Sequence, residues 1–241
     1  MSDFVVAGVG GQGTVLASKL LAQAALLEGR TVRTAETIGM AQRGGSVLGH
    51  VRIGSPPHQG EGVTGGTVQR DSGDGTVLSQ PAHARAVTKQ YRPRCHAHCH
   101  AHPLSPLVPL GHADLLLGFE PGETVRALAY LREGGTVVTA RQTQKPVTAT
   151  LGTVAYDGTA ELDYLHACEA CGRIGRLLAV DGARAVAAVG LPRALNVVLL
   201  GAALSTGAID LPRSAFETAL ERLVKPRFVE PNKQALALFA P

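Results

Sequence analysis

The sequence predicts an α/β fold, a Rossmann-like three-layer α/β/α sandwich with a long insertion loop. Two observations predict it: residues 4–36 have the pattern of a strand, a glycine-rich turn, a helix and a second strand, and the later segments also alternate between strand and helix patterns. A chain of 241 residues can bury a substantial core without disulfides or metals. We therefore expect one domain over residues 1–241, with a flexible insertion at 56–103.

Local patterns give the individual elements. Residues 4–7 form a short apolar run, typical of a buried parallel strand, and a second strand is expected at 31–36. Residues 14–28 contain neither Gly nor Pro and are rich in Ala and Leu, which favours a mostly buried helix that ends at Gly29. Further strands are predicted at 46–53, 114–119, 136–139 and 177–180, and helices at 123–131, 161–170, 194–205 and 212–224 and after Asn232.

The composition excludes several classes of function. The net charge is +4, but 23 Lys and Arg stand against 19 Asp and Glu, and aromatic residues make up only 4% of the chain, so we expect no nucleic-acid partner. No apolar run approaches the ~20 residues that a membrane helix needs. Four cysteines without a regular framework indicate a reducing compartment, and we expect a soluble cytoplasmic protein with no membrane partner.

The glycine-rich turn is the first candidate site. Directly after the first predicted strand, Gly8, Gly10 and Gly13 match the GxGxxG pattern, and Gly11 and Gln12 belong to the same turn. Such glycines let the backbone approach a phosphate, and the N–H groups that begin the next helix face the anion. The pattern leaves three alternatives open, which are dinucleotide binding, binding of another anionic ligand or cofactor, and a purely structural role.

A second candidate segment lies at and beyond the end of the second predicted strand. Glu36 occupies the place of the acidic residue that binds a ribose in dinucleotide sites. Arg43 could bind a carboxylate or phosphate through two hydrogen bonds, or it could be a solvated surface arginine. The candidate binding residues of this segment are Glu36, Met40, Gln42, Arg43, Gly44, Gly45 and Ser46. We assign no catalytic residue.

Several blocks resemble the beta subunits of indolepyruvate ferredoxin oxidoreductases, which belong with the gamma domains of the 2-oxoacid:ferredoxin oxidoreductases. The blocks are GVGGQG at 8–13, GMAQRGGSVLGHVRIG at 39–54, SPLVP at 105–109, ADLLL at 113–117, EP at 120–121, GGTVV at 134–138 and GLPRALNVVLLG at 190–201. The combination is specific, whereas the glycine loop alone is not. It covers most of the chain outside residues 56–103.

The resemblance implies that two subunits have different roles. The large subunit of this family carries thiamine diphosphate, Mg and the iron–sulfur clusters, whereas the small subunit has no tightly bound redox cofactor and helps to handle the substrate coenzyme A. The implied reaction is oxidative decarboxylation of an aryl 2-oxoacid such as indolepyruvate to an acyl-CoA, with electrons passed to ferredoxin. The implied partners are therefore the large thiamine- and cluster-bearing subunit and, through the complex, ferredoxin.

Residues 56–103 depart from the family pattern, in which we expect a short connection. This segment contains Cys95 and Cys99 among alternating histidines, and Cys168 and Cys171 form a second pair elsewhere. Such side chains could bind zinc or nickel, and four cysteines could hold an iron–sulfur cluster. Their spacing matches no known metal module, so we expect no metal site and interpret the segment as a disordered insertion or a locally altered reading frame.

Two other functions remain as alternatives to the subunit interpretation. One is a stand-alone NAD- or flavin-dependent oxidoreductase that uses the same glycine loop, and the other is an anion-binding regulatory domain. A generic dinucleotide domain does not require the RGG block at 43–45 or the PRALN stretch at 192–196, which favours the subunit. Because the sequence shows no evident nucleophile and no thiamine motif, we expect the isolated chain to be folded, colourless and inactive.

Overall fold

A computed structural model describes residues 1–38, 45–55, 105–144 and 156–239. In these ranges six strands form one sheet: β1 (Ser2–Val9), β2 (Val32–Ile38), β3 (Ser46–Ile53), β4 (Ala113–Gly118), β5 (Leu131–Ala140) and β6 (Ile174–Val180). The helices are α1 (Thr14–Leu27), α2 (Pro121–Ala127), α3 (Thr159–Ala170), α4 (Gly182–Val189), α5 (Leu195–Ser205), α6 (Arg213–Leu223) and α7 (Pro226–Ala237). The predicted insertion at 56–103 lies outside the described residues.

The sheet is mixed, with the strand order β2-β3-β1-β4-β5-β6. β1, β4, β5 and β6 run parallel, whereas β3 pairs antiparallel with both β1 and β2. The predicted strand–helix–strand opening is therefore present, but β2 is not the neighbour of β1. β3 lies between them, in full register with both strands.

Helices cover both faces of the sheet, as the sequence predicts. On one face, side chains of β1 such as Phe4 and Val6 pack with Leu20 of α1, Val198 of α5 and Phe216 of α6 in a buried apolar cluster. The opposite face holds a smaller cluster, which includes Val5 and Ala7 of β1, Leu128 after α2 and Leu165 of α3. The alternation of inward and outward side chains along β1 places the two clusters on opposite sides. The three-layer α/β/α prediction is confirmed.

Some element boundaries differ from those predicted. α2 ends at Ala127, and a single 3₁₀ turn at Leu128–Tyr130 leads directly into β5, so the predicted helix 123–131 is too long. α4, a short helix whose N-terminus is capped by Asp181, is not predicted from the sequence. α7 begins at Pro226 rather than after Asn232, because proline suits the first turn of a helix, where its missing N–H is not needed.

Candidate functional site

A cleft lies where the parallel strands end. The loops that follow β1 and β5 converge there with the connection between α4 and α5 and enclose about 470 Å³. Ligands of α/β sheets bind at this carboxyl edge, near the point where the chain changes direction across the sheet, which here is between β1 and β4. The lining residues are Gly11, Gln12, Gly13, Leu16, Gln142, Thr143, Gln144, Pro192, Arg193, Leu195 and Asn196.

The glycine loop between β1 and α1 needs glycine for two different reasons. Gly11 and Gly13 have φ values of +102° and +87°, which other residues rarely adopt. Gly8 has no such φ, but a Cβ there would lie 2.8 Å from Phe119 Cβ and from Gln12 Oε1. Gly8 therefore permits close packing against the end of β4, whereas Gly11 and Gly13 shape the wall of the cleft.

Gln12 holds the glycine loop in place. Its Oε1 accepts a hydrogen bond from the Val9 backbone N–H at 2.7 Å, and its Nε2 donates to the Phe119 carbonyl at 3.2 Å. Both ends of the amide are thus occupied by backbone, which ties the loop to β1 and to the residue after β4. The side chain of Gln12 stiffens the loop, and the backbone of the loop is left to face the cleft.

Asn196, in the first turn of α5, contributes a side chain that the sequence analysis did not select. The residue is 4% exposed, and its Oδ1 accepts the Val197 N–H at 3.0 Å. This bond turns Nδ2 towards Gly13, where a Cβ would lie only 2.9 Å from Nδ2. Nδ2 has no hydrogen-bond acceptor within the described chain, so this amide presents an N–H donor to the open cleft rather than to a protein partner. The only sequence signal for it was its place in the block at 190–201.

The electrostatics of the cleft favour an anion. The N-termini of α1 and α5 both border it, and neither helix has a side-chain cap or an acidic residue in its first turn. Arg193 lines the cleft and is exposed, and its guanidinium makes no ion pair among the described residues. Two helix dipoles, an unpaired amide N–H and a cation together suit a phosphate or carboxylate.

The structure does not bring Glu36 to the glycine loop. Glu36 lies on β2, the edge strand, where it pairs with Gly49 of β3 and is exposed. Two strand spacings of ~4.8 Å separate β2 from β1, so a carboxylate at this position is about 10 Å from the strand that carries the loop. Glu36 therefore does not occupy the place that the acidic residue has where the second strand adjoins the first, and its role in binding stays a prediction. Met40, Gln42, Arg43 and Gly44 lie outside the described residues.

Gly45 and Ser46 do reach the loop region. The Gly10 N–H donates to the Gly45 carbonyl at 2.8 Å, and Ser46 Oγ donates to Glu123 Oε2 at 2.6 Å. These two bonds fix the end of the second candidate segment between the glycine loop and α2. The role of Gly45 and Ser46 in ligand binding stays a prediction.

Two buried carboxylates that the sequence patterns do not single out lie after β4. Glu120 and Glu123 are 1% and 2% exposed. Glu120 caps α2 by accepting the Glu123 N–H at 2.9 Å, and it also accepts a hydrogen bond from the Tyr156 hydroxyl. Burial raises the pKa of Tyr156, and the hydrogen bond to Glu120 raises it further. Glu123 also pairs with Arg126 at 2.5 Å, so both carboxylates are occupied by protein partners.

The described cysteines do not form a metal centre. Cys168 is buried in the last turn of α3 and Cys171 is exposed at its end, and both are free thiols. Within residues 1–38, 45–55, 105–144 and 156–239, no group of three or more His, Cys, Asp or Glu side chains could hold a metal ion. Cys95 and Cys99 lie outside these ranges. No helix in the described part of the chain is long and apolar enough to span a membrane.

Comparisons with known proteins give the family. A family model described as pyruvate ferredoxin/flavodoxin oxidoreductase matches residues 3–93 and 89–238. The indolepyruvate oxidoreductase subunit IorB of Pyrococcus horikoshii is 30% identical to this chain over 236 residues, which cover 98% of this chain and 93% of that protein.

Solved structures support the fold. The gamma subunit of a keto/oxoacid ferredoxin oxidoreductase from Geobacter sulfurreducens matches with a TM-score of 0.56 at 20% identity, covering 99% of this chain and 96% of that one. A 2-oxoglutarate:ferredoxin oxidoreductase from Magnetococcus marinus, solved with 2-oxoglutarate, coenzyme A and succinyl-CoA bound, matches with a TM-score of 0.55 at 13% identity, covering 99% of this chain and 30% of that one. The family model and the near-full-length relative together show that this chain belongs to the pyruvate ferredoxin/flavodoxin oxidoreductase family.

Proposed function

We propose that this chain is the small subunit of a thiamine-dependent 2-oxoacid:ferredoxin oxidoreductase in the cytoplasm. Its substrate is an aryl 2-oxoacid such as indolepyruvate, which the complex decarboxylates and oxidises to an acyl-CoA while ferredoxin takes up the electrons. In this proposal the larger partner subunit holds thiamine diphosphate, Mg and the iron–sulfur clusters. The single observation that carries it is the 30% identity to an indolepyruvate oxidoreductase subunit across 98% of the chain.

The cleft supports a role in holding coenzyme A. Coenzyme A supplies the thiol that takes up the acyl group, and its diphosphate is the anionic part that a glycine loop can hold. Asn196 Nδ2 is an unpaired donor beside Gly13, and Arg193 adds a positive charge at the opening of the cleft. In the proposed complex, the loop backbone and Asn196 bind the diphosphate and so position the remainder of the coenzyme.

The test is reconstitution with the large subunit. The chain is purified alone and together with its partner, and the reduction of a viologen acceptor is measured with indolepyruvate and coenzyme A. We expect a colourless, inactive chain alone and turnover only in the complex, with pyruvate as the control substrate giving a much lower kcat/KM. Turnover by the chain alone, or a flavin or nicotinamide in its spectrum, would contradict the proposal and favour the stand-alone oxidoreductase.

A matched pair of variants tests the role of the cleft. Asn196→Ala removes the unpaired donor, so we expect a higher KM for coenzyme A in the complex and an unchanged KM for indolepyruvate. Arg33→Met removes an exposed arginine on the edge strand β2 and serves as the control, with both KM values unchanged. An unchanged KM for coenzyme A in the Asn196→Ala complex would show that Asn196 does not contribute to coenzyme A binding.

A further inference from the structure

The start of β3 lies beside the start of the glycine loop. Ser46, the first residue of β3, is opposite Val9, the last residue of β1, in the antiparallel pair of these strands. The glycine loop leaves β1 directly after Val9, and the Gly10 N–H donates to the Gly45 carbonyl at 2.8 Å. The direction in which the loop leaves the sheet therefore depends on where the start of β3 lies.

This strand end is exposed, but it is attached to a buried group. Ser46 is exposed, and strand ends with few apolar contacts open most easily. The Ser46 hydroxyl donates to Glu123 Oε2 at 2.6 Å. Glu123 lies in the first turn of α2 and is 2% exposed, so its carboxylate is a fixed anchor for the first residue of β3.

The carboxylate of Glu123 is itself held from two other directions. Its backbone N–H donates to Glu120 Oε2 at 2.9 Å, and its Oε1 accepts a hydrogen bond from Arg126 Nη1 at 2.5 Å. Burying a carboxylate costs free energy, which its hydrogen bonds must offset. An apolar side chain would fill the same place without that cost, so packing alone does not account for a carboxylate here.

The connection from Glu123 to the glycine loop crosses from one face of the sheet to the other. α2 contributes Ala127 to the smaller apolar cluster, whereas α1, which follows the glycine loop, packs in the larger cluster on the opposite face. None of the described residues of α2 lines the cleft. Among the described residues, Glu123 therefore reaches the cleft through Ser46 and the bond between Gly45 and Gly10.

We propose that Glu123 is a positioning residue for the cleft. Its carboxylate fixes Ser46 and with it the start of β3, and the Gly45 carbonyl then holds the Gly10 N–H. Without this connection the loop backbone samples more directions, and a ligand must order it on binding, which weakens affinity. The inference rests on the proposed function only for the ligand by which it is measured, coenzyme A.

The first experiment needs no ligand. Hydrogen exchange of the Gly10 amide is followed by NMR in the chain alone, for the wild type, Ser46→Ala and Glu123→Ala. The reference is the Gly54 amide, which donates to the Thr31 carbonyl at 2.8 Å just beyond the other end of β3. Amides at strand ends exchange by local opening, so we expect roughly fivefold faster exchange at Gly10 in both variants and no change at Gly54.

The second experiment measures kinetics in the complex with the large subunit. Ser46→Ala and Glu123→Ala should each raise the KM for coenzyme A roughly fivefold, and the double variant should raise it no further. The kcat and the KM for indolepyruvate should stay unchanged. Glu123→Gln should keep the wild-type KM, because its Oε1 can accept from Arg126 while its Nε2 donates to the Ser46 hydroxyl. Arg126→Met, the matched control, removes the ion pair but leaves the bond to Ser46, so the KM should not change.

The outcomes separate this inference from the proposed function. Thermal unfolding checks that each variant is folded, and Ser46→Ala, which removes one exposed hydroxyl, decides the matter if Glu123→Ala is not. Unchanged or equal changes of Gly10 and Gly54 exchange in Ser46→Ala would overturn the inference, as would faster Gly10 exchange with an unchanged KM in an active complex. If the wild-type complex shows no turnover, the proposed function fails, and Gly10 exchange alone decides whether Glu123 positions the loop.

Discussion

Replacing Gly13 by Ala should damage the cleft more than the same change at Gly11. Both glycines have positive φ, so either alanine carries a backbone strain of ~1–3 kcal/mol. At Gly11 nothing lies within 4 Å of an added Cβ, whereas at Gly13 the Cβ would lie 2.9 Å from Asn196 Nδ2. Only Gly13→Ala must therefore displace the Asn196 amide, which also breaks its bond to the Val197 N–H.

The extra cost can be worked from that bond. The hydrogen bond that the Val197 N–H donates to Asn196 Oδ1 at 3.0 Å contributes about 1 kcal/mol, so the unfolding free energy should fall about 1 kcal/mol further in Gly13→Ala than in Gly11→Ala. For a domain of this size, about 1 kcal/mol lowers Tm by ~2–4 °C. Thermal unfolding measures the difference between the two variants, and the KM for coenzyme A in the reconstituted complex measures the loss of binding.

A double-variant cycle isolates the contact. When Asn196→Ala is combined with Gly13→Ala, the displaced amide is gone, so the second change should cost only the backbone strain. Equal Tm losses for Gly11→Ala and Gly13→Ala, together with full additivity in the cycle, would refute the reasoning that Gly13 exists to make room for Asn196.

Three other changes have defined outcomes. Arg43→Ala should lower turnover of the reconstituted complex but change the unfolding free energy, measured by urea unfolding, by less than about 1 kcal/mol. Turnover equal to that of the wild type would show that Arg43 has no role in the site. Ser46→Ala removes the hydroxyl that donates to Glu123 and should lower the unfolding free energy by about 1 kcal/mol, against no change for the exposed Ser214→Ala. Burial lowers the pKa of His50, whose Nδ1 accepts the Val108 N–H, so stability should be complete above pH ~6.5 and fall as the pH drops below it. His50→Asn should remove that part of the pH dependence, and a Tm profile between pH 5 and 8 identical to that of the wild type would contradict the assignment.

The strands are predicted well from the sequence because buried strands consist of runs of apolar residues. β3 was placed at its observed bounds, and the runs that became β1 and β4 are buried almost throughout. The order and direction of the strands were not predictable from these runs. A central strand that is buried on both faces has the same apolar sequence whether its neighbours are parallel or antiparallel to it. α4 was missed for a related reason, since eight residues of Gly, Ala, Arg and Val carry too little helical periodicity to stand out.

Within the candidate site, the sequence predicts only the glycine loop, because glycine spacing reflects what the backbone of a tight turn requires. The GxGxxG spacing of Gly8, Gly10 and Gly13 predicts a tight turn before a helix N-terminus. It does not predict which glycines have positive φ, and in the structure these are Gly11 and Gly13. Asn196 could not be selected in the same way, because its amide presents an open donor only after the Val197 N–H has occupied its Oδ1. That arrangement depends on α5 packing beside the glycine loop, and the separation of residues 13 and 196 in the sequence does not predict it.

The antiparallel strand β3 explains why this site departs from the usual dinucleotide arrangement. Where the second strand adjoins the first, an acidic residue at its carboxyl end reaches the ribose. Here β3 occupies that position and runs the opposite way, so its beginning faces the loop, and the Gly45 carbonyl accepts the Gly10 N–H. Glu36 is moved to the edge strand, and that side of the loop is closed by backbone. Among the described residues, the open side of the glycine loop therefore faces the start of α5, where Arg193 and Asn196 line the cleft.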